Sequence, residues 1–130
     1  MRRITGTHVY SYVKCQHLAS LDLYLSRKDR RPSTEWEEFA AKRGRDFEDD
    51  YVAELSVVQP EYPERDFVAG AAATLELLKA GTELMHQAVL SSEDRLGMPD
   101  LLRKLDGASE LGDHHYEVLD VKTSGKSRGD

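Results

Sequence analysis

Apolar positions recur at helical spacing through the first half of the chain and at strand spacing in the second half. Val9, Tyr12, Val13, Leu18, Leu21 and Leu25 fall largely on one stripe, which predicts a helix over residues 7–25 with Thr7 as its cap. The run Arg27-Lys28-Asp29-Arg30-Arg31-Pro32 breaks that pattern. A second helix starts near Thr34, where Thr34-Glu35-Trp36-Glu37 has the form of a capping box. Its stripe is Trp36, Phe39, Ala40, Phe47, Tyr51 and Leu55, so Trp36 and Phe39 read as core rather than as a platform for stacked bases. Gly44 interrupts this helix at a cost of about 1 kcal/mol against alanine, and such a glycine often marks close packing or the close approach of another group.

Pro60-Glu61-Tyr62-Pro63 reads as a loop, and Asp66 as the cap of a third helix over residues 67–80 that Gly81 closes. The period then changes. Residues 83–90, 97–105 and 116–122 read as strands separated by short polar turns, and short connections favour an antiparallel meander. Helices first and strands afterwards give an α+β class in a single domain spanning residues 1–130. The third strand is expected to be an open edge, and the chain to be the N-terminal part of a longer protein whose fold continues past it.

Composition narrows the class of function. With 130 residues, 39% hydrophobic and 32% charged, the chain suits a folded, well-charged domain. No apolar run approaches the roughly 20 residues of a membrane span, and no apolar segment follows Arg2 and Arg3 as a secretory signal requires, so no membrane partner and a cytoplasmic location are expected. Cys15 is alone, can form no internal disulfide, and reads as a small semi-buried hydrophobe. The net charge of −6 argues against simple phosphate neutralisation, yet basic residues cluster at Arg27 to Arg31 and at Lys122, Lys126 and Arg128. A run such as Arg27 to Arg31 more commonly marks a solvated loop than a phosphate contact. An acidic chain can still act on nucleic acid when its carboxylates hold cations that face the phosphate.

The sharpest constellation is Pro99-Asp100, opening one expected strand, and Asp120-Val121-Lys122, ending the next. Alternate strand residues face one side, so Asp120 and Lys122 project together while Val121 points the other way. Two convergent carboxylates suit Mg²⁺ or Mn²⁺, and a neighbouring lysine can hold a water or offset phosphate charge. A lone aspartate at a strand end is commonly a turn residue. Here Leu119 and Val121 flank Asp120, and an ionisable group among apolar neighbours requires a partner, of which a metal is one. His8 and His17 read as surface or packing residues, and His114-His115 as a solvated turn. Gln87, next to His86 in the first strand, is a candidate for lining the pocket.

Gly97-Met98-Pro99-Asp100-Leu101-Leu102 and Tyr116-Glu117-Val118-Leu119-Asp120-Val121-Lys122-Thr123 resemble the paired motifs of RecB-like PD-(D/E)xK nucleases. Arg43-Gly44-Arg45-Asp46-Phe47-Glu48 is similar to that family's first, helical motif. Residues 74–81 and 87–90 fit its linking helix and first strand, so the resemblance covers about residues 4–123. It implies a restriction-endonuclease-like core that is incomplete at the C-terminus, and a divalent-metal-dependent DNA nuclease of repair, recombination or defence. A helicase or second nuclease domain would lie downstream.

The same resemblance implies roles for individual residues. Asp100 and Asp120 would be metal ligands, with the Val121 carbonyl as a third. Lys122 would orient water or stabilise the phosphate, and Glu48 would support the metal or its water. Phe47 stands where the family often carries a histidine, a departure that touches metal preference. Glu48 reads equally well as a solvated helix position beside Asp46, Asp49 and Asp50. Cys15 matches one ligand position of cluster-bearing relatives, but without partner cysteines no iron–sulfur cluster is expected within this chain. The competing expectations are a nuclease-fold module without catalysis, binding nucleic acid or a protein, and a plain interaction domain with an acidic surface.

Overall fold

A computed structural model describes residues 2–122; Thr123, Lys126 and Arg128 lie outside the described residues. The class is α+β, with four helices and a three-stranded antiparallel sheet. Helix α1 is Gly6–Lys14, α2 is Gln16–Tyr24, α3 is Glu35–Ala53 and α4 is Phe67–Lys79. Strands β1 (Leu84–His86), β4 (Leu101–Ser109) and β5 (Gly112–Leu119) pair in the order β1-β4-β5, while β2 (Leu90–Ser91) and β3 (Leu96–Gly97) form a small separate hairpin.

Where the end signals are local, the elements match the reading from sequence. Thr34 Oγ1 accepts from the Glu37 amide, and the Glu37 carboxylate accepts from the Thr34 amide, closing the capping box of α3. Arg31 adds a two-pronged contact to Glu37, and together these hold that carboxyl at about 2, well below its usual range. Asp66 Oδ1 accepts from the Ala69 amide at the start of α4, and Gly81 ends the helix at a φ of +73° that glycine adopts without strain.

Several expectations are corrected. The helix expected over residues 7–25 is two helices capped at Thr5, because Cys15 takes an extended conformation between them. The break lets the two halves fold against each other: Ser11 and Ala19 are both buried, and Ser11 Oγ donates to Asp22 Oδ2 at 2.7 Å. Cys15 itself is exposed at this corner rather than semi-buried. The stripe of α3 is not core either, since Trp36 is 71% exposed and Phe39, Phe47 and Tyr51 are also exposed. Trp36 and Phe39 instead pack on each other, with ring centroids 5.8 Å apart. His114 and His115 lie inside β5, not in a turn; the His114 ring meets the Leu78 carbonyl. β5 also stops at Leu119, leaving Asp120 to Lys122 immediately beyond it.

The core is centred on the sheet. Met85, Ala88 and Leu102 are fully enclosed, with Leu77, Leu78, Leu90 and Tyr116 around them. Residue 58 bridges the outer side of β1, whereas β5 is an edge among the described residues, with Val118 exposed.

Two glycines in helices show how differently the two parts of the molecule are packed. A Cβ on Gly70 would lie 2.9 Å from the Val89 side chain and 3.0 Å from the Tyr62 ring, whereas one on Gly44 would meet nothing within 4 Å. Gly44 therefore marks no close packing, contrary to expectation. Gly44→Ala is expected to raise stability by about 0.5–1 kcal/mol through helix propensity alone. The same change at Gly70 should lower it by about 1–2 kcal/mol, because overpacking against a buried valine outweighs the propensity gain. Urea denaturation of both variants reads the signs, and equal signs would contradict the close packing of α4 at Gly70 against Val89 and Tyr62.

Candidate active site

The sheet register brings the two aspartates together. Leu101 pairs with Leu119 and Leu102 with Val118, so one step further along the antiparallel pair sets Asp100 opposite Asp120. Leu101 and Leu102 are buried and anchor the start of β4, which leaves Asp100 half-buried at the rim of the core. Asp100 Oδ2 accepts from the Val121 amide at 2.8 Å, so a side chain continues the ladder where the strand ends. Val121 thus contributes its amide to the pair.

The electrostatics follow from that proximity. Burial and the adjoining Asp120 carboxyl push the Asp100 carboxyl above its usual range; the Val121 amide pulls the other way, and the charges of Glu48 and Asp120 add to the rise. The Asp120 carboxyl is held low, first by its hydrogen bond with Asp100 and then by Lys122. Lys122 Nζ lies 2.8 Å from Asp120 Oδ2, which raises the lysine in turn. The contact between the two carboxyls thus acts in opposite directions on them, raising Asp100 and lowering Asp120.

Glu48 reaches the same region from α3. Its Oε1 lies 2.8 Å from His86 Nε2 and accepts from Gln87 Nε2 at 3.4 Å. The His86 ring is almost wholly buried and the Glu48 carboxylate largely so, which sets Glu48 apart from a solvated helix position. The Gln87 amide donates to the Asp100 carbonyl at 3.0 Å, linking the end of β1 to the aspartate pair. Gln87 does this at a φ of +50°, a left-handed conformation that costs a non-glycine residue about 1–3 kcal/mol and persists only where the surroundings enforce it.

All of the residues singled out for chemistry therefore lie in one region: Asp100, Asp120 and Lys122 in direct sequence of contact, and Glu48 joined to them through Gln87. Among the described residues no three His, Cys, Asp or Glu side chains gather into a cage of their own. Glu48 is near enough for its charge to act on the Asp100 carboxyl. The residue missed from sequence is His86. A signal for it existed, since it is an ionisable side chain between the buried Met85 and Ala88, the same anomaly that drew attention to Asp120.

No family model matches the chain, and neither a curated protein nor a solved structure is found similar to it.

Proposed function

We propose that the chain is a divalent-metal-dependent nuclease domain of the RecB-like kind, hydrolysing phosphodiester bonds of DNA. The observation that carries this reading is the Asp100–Asp120 pair, at the start of β4 and the end of β5, with the Lys122 ammonium against Asp120. The donor set fits Mg²⁺ or Mn²⁺: it is all oxygen, and a pair of carboxylates is the number Mg²⁺ commonly takes from a protein while keeping waters and binding phosphate. Asp100 and Asp120 would hold the ion, which when bound supplies Lewis acidity and an activated water. The work of the chain's own groups is positional. Asp100 is fixed by the Val121 amide, Glu48 is oriented by His86 and Gln87, and Lys122 offers its charge to a phosphate oxygen. In the reaction a water oxygen bonds to phosphorus, the bond from phosphorus to a sugar oxygen breaks, and a proton passes to that leaving oxygen.

No helix among the described residues is long and apolar enough to cross a membrane. Work on cytoplasmic DNA, beside a helicase or second nuclease domain in repair, recombination or defence, completes the proposal.

The second reading is a module of this fold that binds nucleic acid or a protein without cutting. The Lys122–Asp120 contact favours it, because it already supplies the pair with a cation. Incubation of the folded chain with end-labelled single- and double-stranded DNA in Mn²⁺ or Mg²⁺ separates the two. Fragmentation that EDTA stops supports the nuclease. Intact DNA in both metals, with the chain folded and Mn²⁺ unbound by calorimetry, leaves the binding module in its place.

A further inference from the structure

A cavity of about 930 Å³ lies among the start of the chain, the one-turn helix Arg27–Asp29 and the start of α4. Arg2, Arg3, Arg27, Lys28, Arg30 and Arg65 all line it. A third of the chain's 18 basic residues thus face one space in a molecule of net charge −6. The acidic side chains beside them, Asp22 and Asp66, are already engaged. Asp22 accepts from Ser11 and pairs with Arg30 at 2.9 Å, and Asp66 caps the Ala69 amide.

The wall is partly set in place. The Arg2 guanidinium donates to the carbonyls of Leu23 and Leu25, and Arg3 donates to Ser91 Oγ. Arg27 and Lys28, by contrast, have no ion-pair partner among the described residues, and the Arg65 contact with Glu64 is a long, exposed one at 3.8 Å. Phe67 and Val68 border the same space and give an apolar flank. Fixed arginines, uncommitted cations and an aromatic flank are the parts of a groove that follows a phosphate backbone while bases rest on an apolar surface.

From this convergence we infer that the cavity is a binding groove for single-stranded nucleic acid, gripped through its phosphates by Arg27, Lys28 and Arg65. The choice of a phosphodiester strand rests on the nuclease reading. The groove itself shares no residue with the Asp100–Asp120 pair, so the two are tested apart. It also accounts for how so acidic a chain meets a polyanion, since attraction is needed only along the track the strand follows.

The test is fluorescence anisotropy of a labelled oligothymidylate of about twelve nucleotides in EDTA, where no cutting occurs, over a range of salt. The parent should bind with a steep salt dependence. The triple variant Arg27→Glu, Lys28→Glu, Arg65→Glu should lose at least about tenfold in affinity, and its salt slope should fall by about two, as for three phosphate contacts on a single strand. Should that variant melt early, Arg27→Gln with Lys28→Gln carries the comparison at smaller amplitude. Binding by the parent that both variants retain unchanged overturns the groove, as does no binding at all, or displacement of the strand by polyglutamate at equal charge. Groove-dependent binding without cleavage in any metal upholds the groove and sinks the nuclease reading alone.

Discussion

Asp120→Asn is expected to reduce Mn²⁺ affinity and DNA cleavage by more than about 100-fold, because even residues one shell removed from a metal commonly cost 10–100-fold. Asp100→Asn should do the same. Asparagine is the informative replacement at Asp100, since its amide oxygen can still accept from the Val121 amide and preserve the joint between β4 and residue 121. Asp120 is exposed, so its replacement should move stability by no more than about 0.5 kcal/mol. Both losses should therefore appear without a matching fall in melting temperature. Lys122→Ala provides the complementary result. Its ammonium competes for Asp120, so its removal should leave Mn²⁺ binding intact or tighter while cleavage drops. Calorimetry and cleavage assays on the three variants read this split. Aspartate variants that bind Mn²⁺ as the parent does would end the reading of this pair as a metal site.

The parts of this arrangement that were legible in the sequence are those set by neighbours along the chain. Thr34 with Glu37, Asp66 with Ala69, and Gly81 each fix a helix end through contacts within a few residues, and those ends were placed correctly. The aspartate pair was legible for a related reason: strand alternation and a short connection between strands leave few ways to arrange Asp100 and Asp120. What was not legible depends on contacts between distant residues. The break at Cys15 has no proline or glycine to announce it and follows from the seating of Ser11 and Ala19 between two helices. A periodic stripe states which residues share a face, not what covers that face, and so Trp36 and Phe39 read as core although they are exposed. Glu48 and His86 are 38 positions apart, and only the approach of α3 to β1 turns an ambiguous helical carboxylate into a held one.

That same dependence makes Met85 the position where stability and the candidate site are tied most closely. Its side chain is fully buried, and it pairs with Leu102 across β1 and β4 inside the small central cluster. Met85→Ala should cost about 2–5 kcal/mol, combining lost apolar burial with the cavity left behind. Against a usual total of about 5–15 kcal/mol this is a large fraction, because only seven apolar residues are buried among the described residues. Val118→Ala is the control, since Val118 is 62% exposed on β5 and its truncation should stay within about 0.5 kcal/mol. The consequence reaches beyond stability. Met85 directly precedes His86 and Gln87, which hold Glu48 and the Asp100 backbone, so a loosened β1 should weaken Mn²⁺ binding even where the variant remains folded. Denaturant melts and calorimetry at low temperature measure the two effects. A cost below about 1 kcal/mol would show that the core is not built around Met85, since full truncation of a buried methionine falls well above that. A large cost with unchanged Mn²⁺ affinity would instead show that the aspartate pair holds its geometry without β1.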